Sequence, residues 1–295
     1  MYKEDPIAFI EDNLWIQVKE GGIKRFKLNR FQRMLVGKME EMRKKGLPVR
    51  IIILKARQMG ASTVVQGYMF WWQTRNRYVA GLVIAHETDA SVNLWSKFVL
   101  FIHKMLPECA PKVKRKDEAR GRLEFGTDDP AKAPFDPAFG STLKIESAQD
   151  KEAGRSGTYQ LVHASEVAFW PWPQTFLALK QTVANVAGTL FVEESTANGA
   201  QGQFYEDWQA AVAGKTNFVP IFAGWWEHAE YTLPTTAAEN AAWERFKKAL
   251  AKAVEEGGEE WKKHLTWEPD GVIELSEAEM ELAHLYPIDY GQVKW

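Results

Sequence analysis

Short runs of β-branched and other hydrophobic residues alternate with amphipathic stretches through the middle of the chain. Several of these stretches repeat their apolar residues at spacings of three and four, as amphipathic helices do. Such alternation is typical of βαβ units, and it predicts an α/β fold with a mostly parallel central sheet flanked by helices. The predicted strands are 51–54, 79–85, 122–125, 142–146, 160–164, 189–194 and 218–222, and the predicted helices are a segment from about Ser62, 88–105, 176–186 and 204–213.

The pattern changes after Phe222, where no further strands are predicted. Residues 236–239 (Thr-Ala-Ala-Glu) and 276–279 (Ser-Glu-Ala-Glu) are capping boxes, which predict helix starts. The first box opens a stretch with an apolar stripe on one face. We therefore expect a domain over residues 1–224 that contains the sheet and a small helical subdomain over 225–295, with residues 1–25 open to packing against the latter.

The composition, 45% hydrophobic and 26% charged residues, is that of an ordinary globular chain. It excludes disordered, collagen-like and coiled-coil classes. The single cysteine, Cys109, cannot form an internal disulfide, which indicates a reducing compartment. No apolar run approaches the roughly 18–20 residues that span a bilayer, and the N-terminus lacks the apolar segment of a secretory signal. We expect a soluble, intracellular chain.

The net charge is only −2, but basic and acidic residues are concentrated in different parts of the chain. Residues 24–50 hold ten Lys or Arg against two Glu, and residues 227–281 hold fourteen acidic against six basic residues. Such segregation can steer a polyanion to one face, although solvated faces that merely differ are the alternative. The candidate contacts with the phosphates of such a polyanion are Lys112, Lys114, Arg115 and Lys116.

The loop after the strand 51–54 has the setting of a phosphate-binding P-loop. It follows a buried strand and opens a helix, where backbone N–H groups can bind an anion. Gly60 and Ser62 fit the usual G-x-x-x-x-G-K-S/T pattern, but Ala61 occupies the lysine position and Lys55 that of the first glycine. Lys55 is the candidate phosphate cation. The predicted nucleotide-binding residues are Lys55, Ala56, Arg57, Gln58, Met59, Gly60, Ala61, Ser62 and Thr63.

Two further strands end in residues that suit this chemistry. The strand 160–164 is followed by Ser165 and Glu166, and P-loop ATPases need a carboxylate there to orient and deprotonate the attacking water. The strand 189–194 is followed by Ser195, Thr196 and Asn198, which could sense the γ-phosphate. Because parallel strands end at the same edge, we expect all three strand ends to lie together.

In this order and spacing, the motifs at 55–63, 165–166 and 195–199 resemble the ATPase of large terminase subunits of tailed bacteriophages, the motors that package double-stranded DNA. The resemblance runs from about residue 29 to about residue 208. It implies a P-loop NTPase fold of the ASCE/RecA-like type, ATP and Mg²⁺ as cofactors, and a lid or linker role for residues 225–295. Ser62 and Ser165 would hold Mg²⁺, although Ser165, where an Asp is usual, would act only weakly or through water.

The resemblance also assigns two residues outside these motifs. The segment 29–32 resembles the family's Q motif, in which Gln32 would bind the adenine edge; an ordinary helix start is the alternative. Arg155 resembles the arginine finger that one subunit inserts into its neighbour's site. A plain surface arginine is the alternative, as is a finger at Arg120 or Arg122.

The resemblance further implies partners and a location. The partners are double-stranded DNA, further copies of the chain in a ring of five on the portal, the portal protein and the small terminase subunit, with no membrane. The isolated chain would be a monomer, located in the host cytoplasm and transiently at the procapsid portal, and absent from the mature virion. Family members continue into an RNase H-like nuclease domain, which we expect to be missing here, so that this chain has no endonuclease activity.

Two other functions compete with a DNA-packaging ATPase. A helicase-like ATPase normally needs a second RecA-like lobe, for which the residues after Trp225 are too few. A degenerate P-loop domain that only binds nucleotide is supported by Ala61 and Ser165, which replace the usual lysine and aspartate. Nucleotide binding followed by phosphate release separates a binder from an enzyme.

Overall fold

The structure, a computed structural model, describes residues 3–155, 157–227, 231–267 and 271–294. Ser156, in the loop of the predicted arginine finger, and Trp295, at the end of the predicted lid, lie outside these residues. The chain divides into two compact units, Met1–Ala223 and Gly224–Trp295. None of the described helices is long and apolar enough to cross a membrane.

The first unit contains the sheet and the helices that cover it. Its helices are α1 (Pro6–Asn13), α2 (Arg30–Lys44), α3 (Ala61–Arg75), α4 (Thr88–Lys104), α5 (Pro173–Gln181) and α6 (Gln203–Val212). Its strands are β1 (Trp15–Gln17), β2 (Ile23–Arg25), β3 (Val49–Lys55), β4 (Ala80–Ala85), β5 (Val113–Asp117), β6 (Arg122–Phe125), β7 (Thr142–Ser147), β8 (Leu161–Ser165), β9 (Leu190–Ser195) and β10 (Val219–Ala223).

The main sheet has eight strands in the order β10-β3-β9-β8-β4-β7-β6-β5. The strands from β10 to β7 are parallel to their neighbours, while β6 and β5 extend the sheet as an antiparallel hairpin. The predicted α/β fold with a mostly parallel sheet is therefore confirmed. The order also places β9 between β3 and β8, so that three strands distant in sequence end side by side.

Helix α3 fills the centre of the first unit. It is buried on nearly every side, because it packs against α1, α2, α4 and strands of the sheet. A helix that is apolar all round is stable only in such surroundings. Phe9 and Ile10 of α1 are fully buried, so the described part of residues 1–25 packs within the first unit.

The predicted helix over 176–186 is wrong at both ends, since α5 spans Pro173–Gln181. Pro173 favours the earlier start, because proline suits the first turn of a helix. Beyond Thr182, backbone carbonyls are bound by side chains instead of helical N–H groups: Arg50 donates to the Ala184 carbonyl at 2.7 Å and Thr189 to the Val186 carbonyl at 2.7 Å. The hydrophobic pattern also failed to predict α1, β1, β2 and β5.

The second unit is helical in its described residues. It contains α7 (Ala237–Gly257), α8 (Glu277–Leu285) and α9 (Tyr290–Lys294). Both predicted capping boxes form, with Thr236 and Ser276 as N-caps. The apolar stripe of α7 packs into a core of its own, which includes Trp243, Phe246, Leu250, Trp261, Ile273 and Ile288.

We expect Phe70→Ala to lower the free energy of unfolding by about 3–5 kcal/mol, since it removes a fully buried ring of α3. The Phe70 ring centroid lies within 6.3 Å of four others, those of Phe9, Phe98, Phe101 and Phe125. Urea unfolding followed by tryptophan fluorescence measures the change. Phe135 is 85% exposed, so Phe135→Ala is the control and should change stability by less than about 0.5 kcal/mol. Equal midpoints for both variants would contradict this packing.

Candidate functional site

Three neighbouring strands direct polar side chains to one face of the sheet near their carboxyl ends. Ser165 of β8 lies opposite Glu194 of β9, and Glu194 lies opposite Ile53 of β3. Because side chains alternate along a strand, Lys55 shares the face of Ile53 and hence of Glu194. Helix α3 packs against β8 and β9 and adds Ser62 from its first turn. Lys55, Ser62 and Ser165, predicted separately, therefore meet around Glu194.

Glu194 is fully buried at the centre of this cluster. Its Oε1 accepts hydrogen bonds from the hydroxyls of Ser62 at 2.6 Å and Ser165 at 2.7 Å, and its Oε2 lies 3.1 Å from Lys55 Nζ. His163 Nε2 is 3.3 Å from Oε1. Burial alone would raise the pKa of Glu194, but the Lys55 charge, His163 and Ser62 outweigh it and hold this pKa well below its usual range.

Lys55, at the end of β3, bridges two carboxylates. Its ammonium lies 2.7 Å from Glu166 Oε1 as well as 3.1 Å from Glu194 Oε2, and its side chain is only 6% exposed. Burial opposes the charged form, but the two carboxylates prevail and raise the pKa of Lys55. Lys55 therefore stays cationic in the interior.

Glu166 is bound on its other side by the residues predicted to sense the γ-phosphate. Its Oε2 accepts from the Thr196 backbone N–H at 3.0 Å, the Thr196 hydroxyl at 3.2 Å and the Ser195 hydroxyl at 3.3 Å. Glu166 itself has a left-handed backbone, with φ of 54°. Asn198 donates to the Ala168 carbonyl at 2.9 Å, in the 3₁₀ turn after Glu166. The ends of β8 and β9 are thus joined through polar contacts.

The loop between β3 and α3 has the backbone of an anion-binding turn. Gln58 and Gly60 have positive φ values of 59° and 75°, and no side chain caps the N-terminus of α3. The first N–H groups of a helix point outward and attract anions. Ala61 is buried, whereas Arg57 and Gln58 are exposed.

Gln32 supports this loop from α2. Its Nε2 donates to the Gly60 carbonyl at 3.0 Å, and its Oε1 accepts from the Asn29 backbone N–H at 3.0 Å within a capping box. A Cβ on Gly60 would displace the Gln32 amide, and the positive φ of Gly60 also favours glycine at this position. Both ends of the Gln32 amide are engaged here with the protein itself, and its contact with adenine stays a prediction.

Arg155 lies outside the cluster, on the loop between β7 and β8. Its guanidinium pairs with Glu152 at 2.9 Å, and its side chain is 42% exposed. Arg120 and Arg122 are likewise exposed, next to the turn of the β5–β6 hairpin. All three arginines are exposed and therefore available to a second molecule.

Three of the four predicted phosphate contacts have acidic partners on the same hairpin. Lys114 lies 3.4 Å from Glu124, Arg115 3.3 Å from Asp117, and Lys116 2.7 Å from Glu118. These pairs are exposed and therefore weak, so they could exchange for phosphates. The local field is nevertheless less positive than the run of basic residues indicated.

Sequence reasoning missed Glu194 and His163. The run 191–195 read as a strand followed by hydroxyl residues, and its two glutamates received no role. Glu193 and Glu194 point to opposite faces of β9, and Glu194 alone meets Lys55 and Ser165. The alternation of side chains along β9 shows that the two glutamates face opposite ways. It identifies Glu194 only once β9 is known to lie between β3 and β8.

The family comparison matches residues 52–271, more than half of the chain, to the N-terminal part of the large terminase subunit, T4likevirus-type. The chain belongs to this family. Solved structures show the same fold. One is a mutant of the large terminase ATPase domain of Thermus phage P74-26, with 20% identity and a TM-score of 0.54. The match covers 68% of this chain and 83% of the phage chain. The unmutated domain of the same phage protein has 18% identity and a TM-score of 0.52, and the match covers 81% of this chain and 93% of the phage chain.

The large terminase of bacteriophage HK97 gives 16% identity and a TM-score of 0.59 over 89% of this chain. The match covers 54% of the HK97 chain, so this protein spans about half the length of that relative. Within the described residues no group of three or more His, Cys, Asp or Glu could hold a metal ion.

Glu193 makes the stability of the fold depend on pH. Burial raises the pKa of Glu193 to about 8, because the nearby charge of Lys180 offsets only part of this effect. Folding thus binds a proton between pH 4.5 and about 8, and the free energy of unfolding falls with rising pH by up to about 1.4 kcal/mol per unit. We expect Glu193→Gln to be more stable than the wild type at pH 8, by a margin that shrinks towards pH 5.

Urea unfolding at several pH values measures this margin. Glu118→Gln is the control, because that side chain is 65% exposed, and it should change the free energy of unfolding by less than about 0.5 kcal/mol. A constant margin for Glu193→Gln would mean that the carboxylate is ionised in the folded state.

Proposed function

We propose that this chain is the ATPase motor of a viral DNA-packaging terminase, which hydrolyses Mg-ATP to translocate double-stranded DNA into a procapsid. One observation carries the proposal: the loop 55–63, Glu166 and the residues 195–198 converge at one edge of the parallel sheet. Ligands of open α/β sheets bind at the carboxyl ends of the strands. Family membership supports the same conclusion.

The nucleotide would lie along the N-terminus of α3. Its phosphates would accept hydrogen bonds from the backbone of the loop, where no side chain competes. A cavity of about 330 Å³ next to the loop is lined by Gln32, Gly60 and Thr63, together with Trp15, Phe26 and Lys97. We assign this cavity to the nucleoside, so that Gln32 lies within reach of the base.

The residues around Glu194 fit Mg²⁺. Magnesium prefers oxygen ligands and commonly takes one or two carboxylates together with substrate phosphates and water. The Glu194 carboxylate supplies such an oxygen, Oε1, and the Ser62 and Ser165 hydroxyls each lie within 2.7 Å of it. When bound there, Mg²⁺ would neutralise charge on the transferring phosphoryl group.

Glu166 is assigned as the general base. It lies at the end of β8, and Thr196 and Ser195 fix its Oε2 while Lys55 pairs with its Oε1. When Lys55 turns to the phosphates, Oε1 becomes available to a water. Because Thr196 holds the same carboxylate, a movement of Glu166 would be transmitted to the end of β9, which is the coupling we propose for Ser195, Thr196 and Asn198.

The remaining assignments concern assembly and follow from the family. Arg155 would act as a finger in the site of a neighbouring subunit, within a ring of five on the portal. Residues 225–295 would serve as a lid or linker, and double-stranded DNA, the portal protein and the small subunit are the proposed partners. The place of action would be the host cytoplasm.

One observation favours a binder without turnover. Lys55, the proposed phosphate cation, is already paired with two carboxylates in this structure, and Ala61 supplies no second lysine. A chain that could not release Lys55 would bind nucleotide weakly and not hydrolyse it. The next experiment separates the two functions.

We expect Glu166→Gln to retain ATP binding and to lose about 10²–10⁴-fold in turnover, because the base acts on water in the transition state. The amide can still accept from Thr196, so the loop keeps its contacts. Calorimetric titration with ATP and steady-state phosphate release measure the two quantities. Glu118→Gln, on the exposed hairpin, is the control and should match the wild type. Wild-type binding without phosphate release would favour the binder.

We expect an equimolar mixture of Arg155→Ala and Glu166→Gln proteins to recover part of the activity that each lacks. In an assembly, a subunit with an intact base would receive an intact finger from its neighbour, and such an arginine contributes about 10³–10⁵-fold in rate. Phosphate release is measured at concentrations where light scattering confirms assembly. Lys151→Ala, in the same loop, should keep its activity. No recovery in confirmed assemblies would place Arg155 in its own subunit's site or remove it from the mechanism.

A further inference from the structure

Ser165 leaves a gap in the chemistry of this site. In P-loop NTPases a P-loop Ser or Thr and an Asp at the end of the Walker B strand together hold the metal. Here the strand β8 ends in Ser165, whose hydroxyl carries no charge. The carboxylate that contacts Ser62, the P-loop hydroxyl, comes instead from β9: Glu194 Oε1 accepts from Ser62 at 2.6 Å and from Ser165 at 2.7 Å.

We propose that Glu194 is the metal-positioning carboxylate of this site and replaces the aspartate that residue 165 lacks. The inference rests on the proposed function, since it assigns a residue within the same nucleotide site. Glu194 would accept hydrogen bonds from the hydroxyls of Ser62 and Ser165. The lone pairs of both hydroxyl oxygens would then be free to face the metal and its water ligands.

The geometry distinguishes this role from that of a simple counterion. A counterion of Lys55 needs only Oε2, which lies 3.1 Å from the ammonium. The other oxygen, Oε1, accepts hydrogen bonds from the hydroxyl of Ser62 on α3 and from the hydroxyl of Ser165 on β8. The carboxylate of Glu166 is bound instead by Lys55, Ser195 and Thr196, none of which lies on α3 or β8.

Charge gives independent support. Lys55 contacts two carboxylates, so one negative charge within the cluster is not balanced by this lysine. The Glu194 carboxylate is fully buried, with the two hydroxyls on Oε1 and the ammonium of Lys55 beside Oε2. An ionised oxygen beside two hydroxyls is the ligand set of a hard divalent cation.

The test is the dependence of nucleotide affinity on metal. The Kd of the non-hydrolysable analogue AMP-PNP is measured with saturating Mg²⁺ and with EDTA, and the ratio of the two values reports metal coupling without turnover. We expect Glu194→Gln to bind AMP-PNP in EDTA at least as well as the wild type but to lose about 10–100-fold in this ratio, the usual cost of removing a residue that orients metal ligands.

Glu193→Gln is the matched control, since it changes the adjacent glutamate, which points to the opposite face of β9. Its ratio should equal that of the wild type. Moving the carboxylate gives the converse test: Ser165→Asp combined with Glu194→Gln should restore the ratio, and it keeps an anion near Lys55 should Glu194→Gln alone not fold. Electron paramagnetic resonance of Mn²⁺ with AMP-PNP reports the metal directly in each variant.

The outcomes separate the two proposals. An unchanged ratio and Mn²⁺ spectrum in Glu194→Gln, or a folded double variant without metal coupling, would overturn the role of Glu194 while leaving a nucleotide site in place. A wild-type chain that binds AMP-PNP neither with Mg²⁺ nor with EDTA would overturn the proposed function, and the role of Glu194 with it. Loss in Glu194→Gln with recovery in the double variant supports the assignment.

Discussion

The buried ion pair between Lys55 and Glu194 is the interaction on which the site depends. A fully buried carboxylate is tolerated only with a charge partner and hydrogen bonds, and removing one member of such a pair typically costs about 3–5 kcal/mol. Glu194 has Lys55, two hydroxyls and His163 around it, drawn from β3, α3 and β8. The pair therefore fixes how these elements meet, and a change at Lys55 would test the fold as much as the chemistry.

Seven of the eight strands of the main sheet and the P-loop could be predicted from the sequence, because each is a local pattern. The run at 51–54 is apolar enough to be buried on both faces, and the glycine at position 60 marks the turn that follows. The convergence of strand ends also followed from a general property of parallel sheets. The order of the strands did not, because it depends on long-range packing. Glu194 acquires its partners only through that order, and a glutamate within a hydrophobic run gives no other sign of its role.

Gln32 and Thr196 show how contacts within the chain fix the groups of the candidate site. Gln32 binds the carbonyl of Gly60 and thereby supports the left-handed turn, while Thr196 holds one oxygen of Glu166. Groups that are fixed beforehand need no reorganisation when the reaction occurs, and this is a principal source of electrostatic catalysis. The sequence could name these residues but not the contacts that prepare them, since the contacts cross between elements distant along the chain.

The proposed position of the metal carboxylate has a consequence for coupling. Glu194, Ser195 and Thr196 are consecutive. Glu194 contacts the P-loop hydroxyl, Ser195 contacts both the proposed base and the turn that follows it, and Thr196 contacts the proposed base. An aspartate at residue 165 would place the metal contact on β8, separate from the proposed coupling residues at the end of β9. With Glu194 in that role, one strand end contacts both the metal site and the base. A change at the phosphates would then reach Thr196 through a single peptide segment, without passing through the interface between two strands.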